Sequence, residues 1–260
     1  MQLQIFQIDA FTSRQFEGNP AAVVPLDRWL SDRLLQQIAM ENNLSETAFF
    51  IPADNGYGLR WFTPATEVNL CGHATLATAH VLFNYFITTQ SSIRFETRSG
   101  ILHVNKNDDL LVMDFPSAIP QPIDIPYSLE GALGCKPRQC YSGGEDLMAV
   151  FDREEEIMGV NPDFRLLAKL DYRGIIVTAR GTTCDFISRF FAPAVGVDED
   201  PVTGSAHTLL TPYWSTILGK DELTAKQVSK RGGLLYCKNE SDRVKIGGKA
   251  VTYLKGMIYT

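Results

Sequence analysis

An α+β protein of two similar lobes, each a central helix wrapped by a mostly antiparallel sheet, is the fold class the sequence predicts, on three observations. From Ala74 to Phe86 nearly every residue is apolar or small all the way round the helical wheel, so that helix must be buried on every side. The segments "SIRFETRSG", "GILHVNKND" and "LLVMDFP" alternate as half-buried antiparallel strands do, and supply a coat for it. Finally, "FTPATEVNLCGHATLATAHVL" (62–82) can be laid on "FAPAVGVDEDPVTGSAHTLLTPYW" (191–214). Both carry Phe-x-Pro-Ala, a valine six residues after the phenylalanine, and a glycine among polar residues ahead of a helix. With three extra residues in the second copy, Cys71 lies opposite Thr203, Gly72 opposite Gly204 and His73 opposite Ser205.

In chain order, "LQIFQIDAF" and "NPAAVVPL" are short strands parted by the turn signal "EGNP". "SDRLLQQIAMENN" repeats Leu34, Leu35, Ile38 and Ala39 at helical spacing behind Ser31, a cap residue, and reads as an amphipathic surface helix. "ETAFFIP" and "GLRWFTP" follow as strands, and the buried helix comes next. "FPSAIPQPIDIPYS" holds four prolines in 14 residues and reads as a linker breaking regular structure near residue 116. The lobes are therefore 1–116, with the C-terminal strand 249–260 a candidate to complete it, and 117–248. In the second lobe "GIIVTA" and "ISRFF" repeat the strand pair that precedes the first copy. "DREEEIMGV" reads as a helix N-terminus, "NPDFRLLAKL" as a solvated helix, and "SGGEDL" as no more than a turn. Pro212 falls inside the second helix, where it should cost about 3 kcal/mol or force a kink.

At 260 residues and 45% apolar content the chain can bury a real core. It contains no apolar run of the roughly 20 residues that cross a bilayer, and its start alternates instead of following a basic end with an apolar stretch, so a cytoplasmic protein without a membrane segment is expected. Five cysteines, an odd number, read as reduced thiols. The net charge is −6 and the basic residues are scattered, which argues against a nucleic-acid surface. An acidic protein that takes an anionic metabolite must build positive potential locally, most cheaply from helix N-termini.

The segments "AFTSRQFEGNPAAVV", "LSETAFF", "RWFTPATEVNLCGHATLATA" and "DEDPVTGSA" resemble the successive signatures of the PhzF-like isomerases of phenazine biosynthesis, whose fold is that of diaminopimelate epimerase. The resemblance runs in order from residue 3 to about residue 211. It implies a two-lobed isomerase with no cofactor and no metal, commonly a homodimer, with its active site between the lobes. In the family's phenazine enzyme a glutamate moves a proton between carbons of a small cyclic carboxylate; that residue matches Glu46, and the family's histidine, aspartate and serine match His73, Asp200 and Ser205. Asn19, Gly72, Thr203, Gly204 and Ser205 are the substrate-binding candidates. Cys71 stands where epimerase and racemase relatives hold one of two catalytic cysteines. Its partner position is Thr203, which has no useful pKa, so a two-thiol racemase is not expected.

The residues themselves leave alternatives. Gly72-His73 and Gly204-Ser205 each open a helix, and free N–H groups there can seat a carboxylate, although either glycine alone could serve only a tight turn. Glu46 precedes the apolar "TAFF", where desolvation would raise its pKa toward neutrality; the plain alternative is a solvated strand end. Asp200, in "DEDP", is either a turn residue or the group that holds His73 or the substrate. For zinc, Cys71 and His73 lack two ligands: the cysteines at 135, 140, 184 and 237 form no C-x-x-C, and His80, His103 and His207 show no ligand spacing. At a helix start the Cys71 thiol would have a lowered pKa and could act as a base, or it could simply fill space. Three functions compete: a Glu46 proton-shuttling isomerase of a small carboxylate, a Cys71-dependent amino-acid epimerase, racemase or dehydratase, and a non-catalytic metabolite-binding protein. No Gly-rich nucleotide signature is present.

Overall fold

The strand Asn19–Pro25 buries Ala21, Ala22, Val23 and Val24 in succession, a pattern that requires cover on both faces of its sheet. The computed structural model, which describes residues 1–86 and 89–260, supplies that cover. The chain forms two units, Met1–Asp114 with Gly247–Thr260, and Phe115–Ile246.

In the first unit Gln2–Ala10 pairs antiparallel with both Asn19–Pro25 and Ala250–Tyr259. Asn19–Pro25 runs parallel to Glu46–Ala53, which pairs antiparallel with Gly56–Phe62. That strand takes Glu67–Val68 antiparallel and Ser92–Thr97 parallel, and Gly100–Asn107 follows antiparallel. On one face the helix Asp32–Asn42 sets Leu35, Ile38 and Ala39 against Ala22, Val24, Phe49 and Phe62. Ser31 caps it, its hydroxyl accepting from the Leu34 N–H, and Asn43 closes it in the left-handed region at φ 49°. The pleat turns Ala21 and Val23 to the other face, where the helix Gly72–Tyr85 meets the same strands.

That second helix buries ten of its 14 residues, from His73 to Phe83. Burial stops one turn short of the expected end, with Tyr85 and Phe86 exposed. Thr75 and Thr78 survive inside because their hydroxyls donate to the carbonyls four residues back, Cys71 at 2.6 Å and Ala74 at 2.7 Å.

The second unit repeats the succession. Gln139–Gly143 pairs antiparallel with Asp146–Val150, which lies parallel to Gly174–Arg180, which pairs antiparallel with Phe186–Ala192. The last of these takes Val197–Asp200 antiparallel and Glu222–Gln227 parallel, and Gly233–Glu240 follows antiparallel. Its core gathers Leu147, Ala149, Val177, Ile187 and Phe191 with the short helices Leu129–Leu133, Glu154–Gly159 and Phe164–Leu167. No helix among the described residues is long and apolar enough to cross a membrane.

Three expectations need correction. The proline-rich segment is not a free linker: Gln121–Ile123 pairs with Gln139–Gly143, and the N–H groups of Ser117 and Ala118 donate to Asp242 and Thr208. Its prolines cost it little, since a three-residue strand at a sheet edge tolerates Pro122. "NPDFRLLAKL" is helical only over Phe164–Leu167, with Leu167 buried and Phe164 packed on the core, so it is not simply solvated. Pro212 breaks nothing, because the helix runs through it from His207 to Leu218. The carbonyl that its missing N–H would have served, Thr208, accepts from Ala118 at 3.1 Å.

Candidate active site

Strand register brings a carboxylate to the head of the buried helix. Gly18, at φ +68°, turns the chain so tightly that a Cβ would lie 2.2 Å from the Ala10 carbonyl oxygen, and Asn19 opens its strand immediately after. Glu46 opens the adjacent parallel strand opposite Ala21, and Ala21 shares a face with Asn19 two residues back. Cys71 is the extended N-cap residue of the helix, with Gly72 and His73 its first two helical positions.

Three side chains, from two strands and the helix start, converge on His73. Its Nε2 lies 3.0 Å from Glu46 Oε2, and its Nδ1 lies 3.1 Å from Asn19 Nδ2 and 3.5 Å from Cys71 Sγ. The His73 side chain is 6% exposed and that of Glu46 17%, so what solvent reaches the pair arrives along the carboxylate. Among the described residues neither Nε2 nor Oε2 has an aligned hydrogen bond; they meet only as an ion pair. Two buried polar atoms in that condition are poised for a ligand.

Burial opposes charge on the His73 ring, but its neighbours overcome this and hold its pKa well above the usual 6.5, Cys71 where its sulfur is ionised and the Glu46 carboxylate where it is not. In the neutral ring the Asn19 amide donates to Nδ1 and the proton sits on Nε2, facing Glu46. When the ring charges, Nδ1 gains a proton and the amide must turn its oxygen toward it. Cys71 departs from expectation. Burial first, and then the Glu46 carboxylate, push its thiol up to about 11, outweighing the helix start that should have lowered it. The thiol is therefore protonated near neutrality.

In the second unit, Asp200 ends the strand Val197–Asp200, and its Oδ2 accepts from the Thr203 hydroxyl at 2.6 Å. The wholly buried Gln227 ties the turn together: its Oε1 accepts from the Thr203 N–H at 2.8 Å, and its Nε2 donates to the Asp200 carbonyl at 2.8 Å. The sequence assigned to Asp200 the holding of His73 or of the substrate; in the second unit its side chain accepts from Thr203, and in the first unit Glu46 and Asn19 flank the His73 ring. Gly204 and Ser205 do not open the helix as expected. They form a tighter turn in which His207 and Thr208 donate to the carbonyls three residues back, and regular helix begins at His207.

Sequence reasoning missed Arg173, Asp146 and Gln227. Arg173 donates to both oxygens of Asp146, through Nε at 2.9 Å and through Nη2, and Nη2 also donates to Ser205 Oγ at 3.2 Å. Burial outweighs the guanidinium and keeps the Asp146 carboxyl above the usual range. The first unit sets a carboxylate against His73, and the second sets a guanidinium against Ser205, the residue opposite His73 in the repeat. A signal existed: Asp146 heads "DLMAV" and Arg173 directly precedes "GIIVTA", the same placement at the head of an apolar strand that singled out Glu46. Gln227 offered none.

Among the described residues Glu46, Cys71 and His73 form a group able to hold a metal, one ligand atom from each lying within 4.8 Å of the others. The sequence offered only the second and third.

A family profile described as phenazine biosynthesis-like protein (PhzC-PhzF) matches residues 8–256. The chain is 52% identical over 258 residues to an uncharacterized isomerase of Pseudomonas aeruginosa, covering 99% of each. The crystal structure of a PhzF-family phenazine biosynthesis protein from Enterococcus faecalis aligns over 100% of both chains with a TM-score of 0.98 and 47% identity. A hydroxyproline epimerase of Agrobacterium vitis shares the fold alone, at 10% identity and a TM-score of 0.65, over 99% of this chain and 92% of that one.

Proposed function

The chain belongs to the phenazine biosynthesis-like (PhzC-PhzF) family, an isomerase family, and from that premise we propose that it moves a proton between carbons of a small carboxylate with Glu46 as general base and acid. The observation that carries the reading is the Glu46–His73 ion pair, shielded from water, with its facing oxygen and nitrogen lacking aligned hydrogen bonds.

The chemistry balances without a co-reactant. The Glu46 carboxylate takes a proton from a carbon conjugated with the substrate's carboxylate, and the electron pair freed from the C–H bond spreads into that conjugated system. Glu46, now protonated, returns the proton to another carbon of the same system. Charged His73 stabilises the carboxylate before transfer, and the unpaired N–H groups at the helix start, Gly72 and His73, are suited to the substrate anion. We assign the anion-binding role in the second unit to Gly204, Ser205 and Arg173, and assign to Asp200, Thr203 and Gln227 the bracing of that turn. A thiol protonated up to about 11 is a poor resting base, which weighs against the Cys71-dependent alternative.

The test is deuterium wash-in from D2O, screened by NMR over small unsaturated and amino carboxylic acids. Glu46→Gln should lower exchange by about 10²- to 10⁴-fold while circular dichroism stays native. Exchange undiminished in that variant removes Glu46 from the mechanism.

A further inference from the structure

We propose that Glu46, Cys71 and His73 bind a zinc ion, and that the bound metal silences the acid/base site. The three residues carry the donor types zinc prefers: a thiolate, an imidazole and a carboxylate. Nε2 and Oε2 are 3.0 Å apart, and Sγ lies 3.5 Å from the other ring nitrogen. One donor from each residue sits within 4.8 Å of the others. Tetrahedral zinc, with bonds of about 2.0–2.3 Å, separates its ligands by about 3.3–3.6 Å, so closing on the ion asks for a contraction of about 1.5 Å at most.

Independent of the spacing, the buried His73 Nε2 and Glu46 Oε2 have no aligned hydrogen bond among the described residues, and a cation between them would satisfy both. With the metal on Nε2, the proton resides on Nδ1 and faces the Asn19 amide, which lies 3.1 Å away through Nδ2 and orients the ring by turning its oxygen to accept that proton. Three protein ligands leave a fourth position for water or an added carboxylate, the arrangement of an open site. Binding releases the thiol proton and the Nε2 proton of the charged His73 ring to solvent and changes no oxidation state.

The ion would occupy the lone pairs that Glu46 needs to take a proton. Silencing therefore rests on the proposed function, whereas binding does not.

The experiment uses the full chain, reduced and stripped of metal with a chelator. Titration with Zn2+ alone, followed by calorimetry, should show one ion per chain. Cys71→Ser should weaken it at least about tenfold, and Asn19→Ala by about 10- to 100-fold as loss of an outer-shell partner. Co2+ in place of zinc should give a thiolate-to-cobalt charge-transfer band, absent in Cys71→Ser and retained in Cys140→Ser and Cys237→Ser, whose buried thiols lie outside the cluster. No zinc uptake, uptake equal in Cys71→Ser, or a cobalt spectrum without the thiolate band overturns the site. Proton exchange undiminished at saturating zinc overturns the silencing. Failure of the functional reading shows elsewhere, as normal exchange by metal-free Glu46→Gln.

Discussion

A buried histidine with a carboxylate 3.0 Å from one ring nitrogen and an amide 3.1 Å from the other is the feature on which the proposed chemistry rests. Desolvation alone would leave the His73 ring neutral; its neighbours reverse that and hold its pKa well above 6.5. NMR of the His73 imidazole should therefore show titration well above pH 6.5, and Glu46→Gln should bring the midpoint down, because the variant keeps the burial and loses the charge. A wild-type midpoint at or below 6.5 would mean that burial wins and that His73 is a neutral donor. Only part of this was legible in the chain. His73 and Glu46 stood out by family signature and by position at the head of apolar elements, but their distance did not. They are 27 positions apart in sequence, and what joins them is the parallel register that sets Glu46 opposite Ala21. The same reason hid Arg173, whose partner Asp146 also comes from a neighbouring parallel strand.

Among the elements, the helices were readable where composition alone decides and unreadable where tertiary partners do. The helix Gly72–Tyr85 announces itself by being apolar all round, and the structure adds how its threonines are tolerated, through back-bonds to carbonyls. Pro212 gave the wrong impression because the donor that repairs the helix comes from Ala118, in a stretch whose prolines had marked it as linker. This makes a quantitative expectation. If Thr208 lacked a partner, Pro212→Ala would recover most of the roughly 3 kcal/mol that an interior proline costs. With the carbonyl already satisfied, urea denaturation should show a gain of under about 1 kcal/mol, and a gain near 3 kcal/mol would mean that the Ala118 bond does not offset the loss.

For the whole molecule, the repeat seen in a dozen residues extends to the complete order of strand pairings: antiparallel, parallel, antiparallel, antiparallel, parallel, antiparallel in each unit. Sequence could show only the copies around the helix starts, because strands covered on both faces keep apolar character and not identity. Each unit also holds one histidine that desolvation keeps neutral, His80 partly buried and His207 wholly buried. Desolvation lowers the pKa of His80 in the first unit and of His207 in the second to about 4. In the unfolded chain both titrate near 6.5. Between about pH 4 and 6.5 the unfolded state thus binds up to two more protons than the folded one, and stability falls as pH falls through that window. His73 adds nothing to this slope: its folded pKa is raised, so its stabilisation is fully present below about 6.5 and is lost only as pH rises through the folded value. Asp146, held above the usual carboxylate range, works the other way and trims the loss at the acid end. Two protons correspond to a slope of about 2–3 kcal/mol per pH unit between pH 6 and 5. His207→Asn, whose amide can still donate to the Thr203 carbonyl that Nδ1 serves at 2.8 Å, should remove about half of it. If the units unfold in separate transitions, each should carry one proton's slope and the variant should flatten only that of the second unit. A stability flat from pH 6 to 5, or a slope indifferent to His207→Asn, would show that these imidazoles are charged in the folded protein.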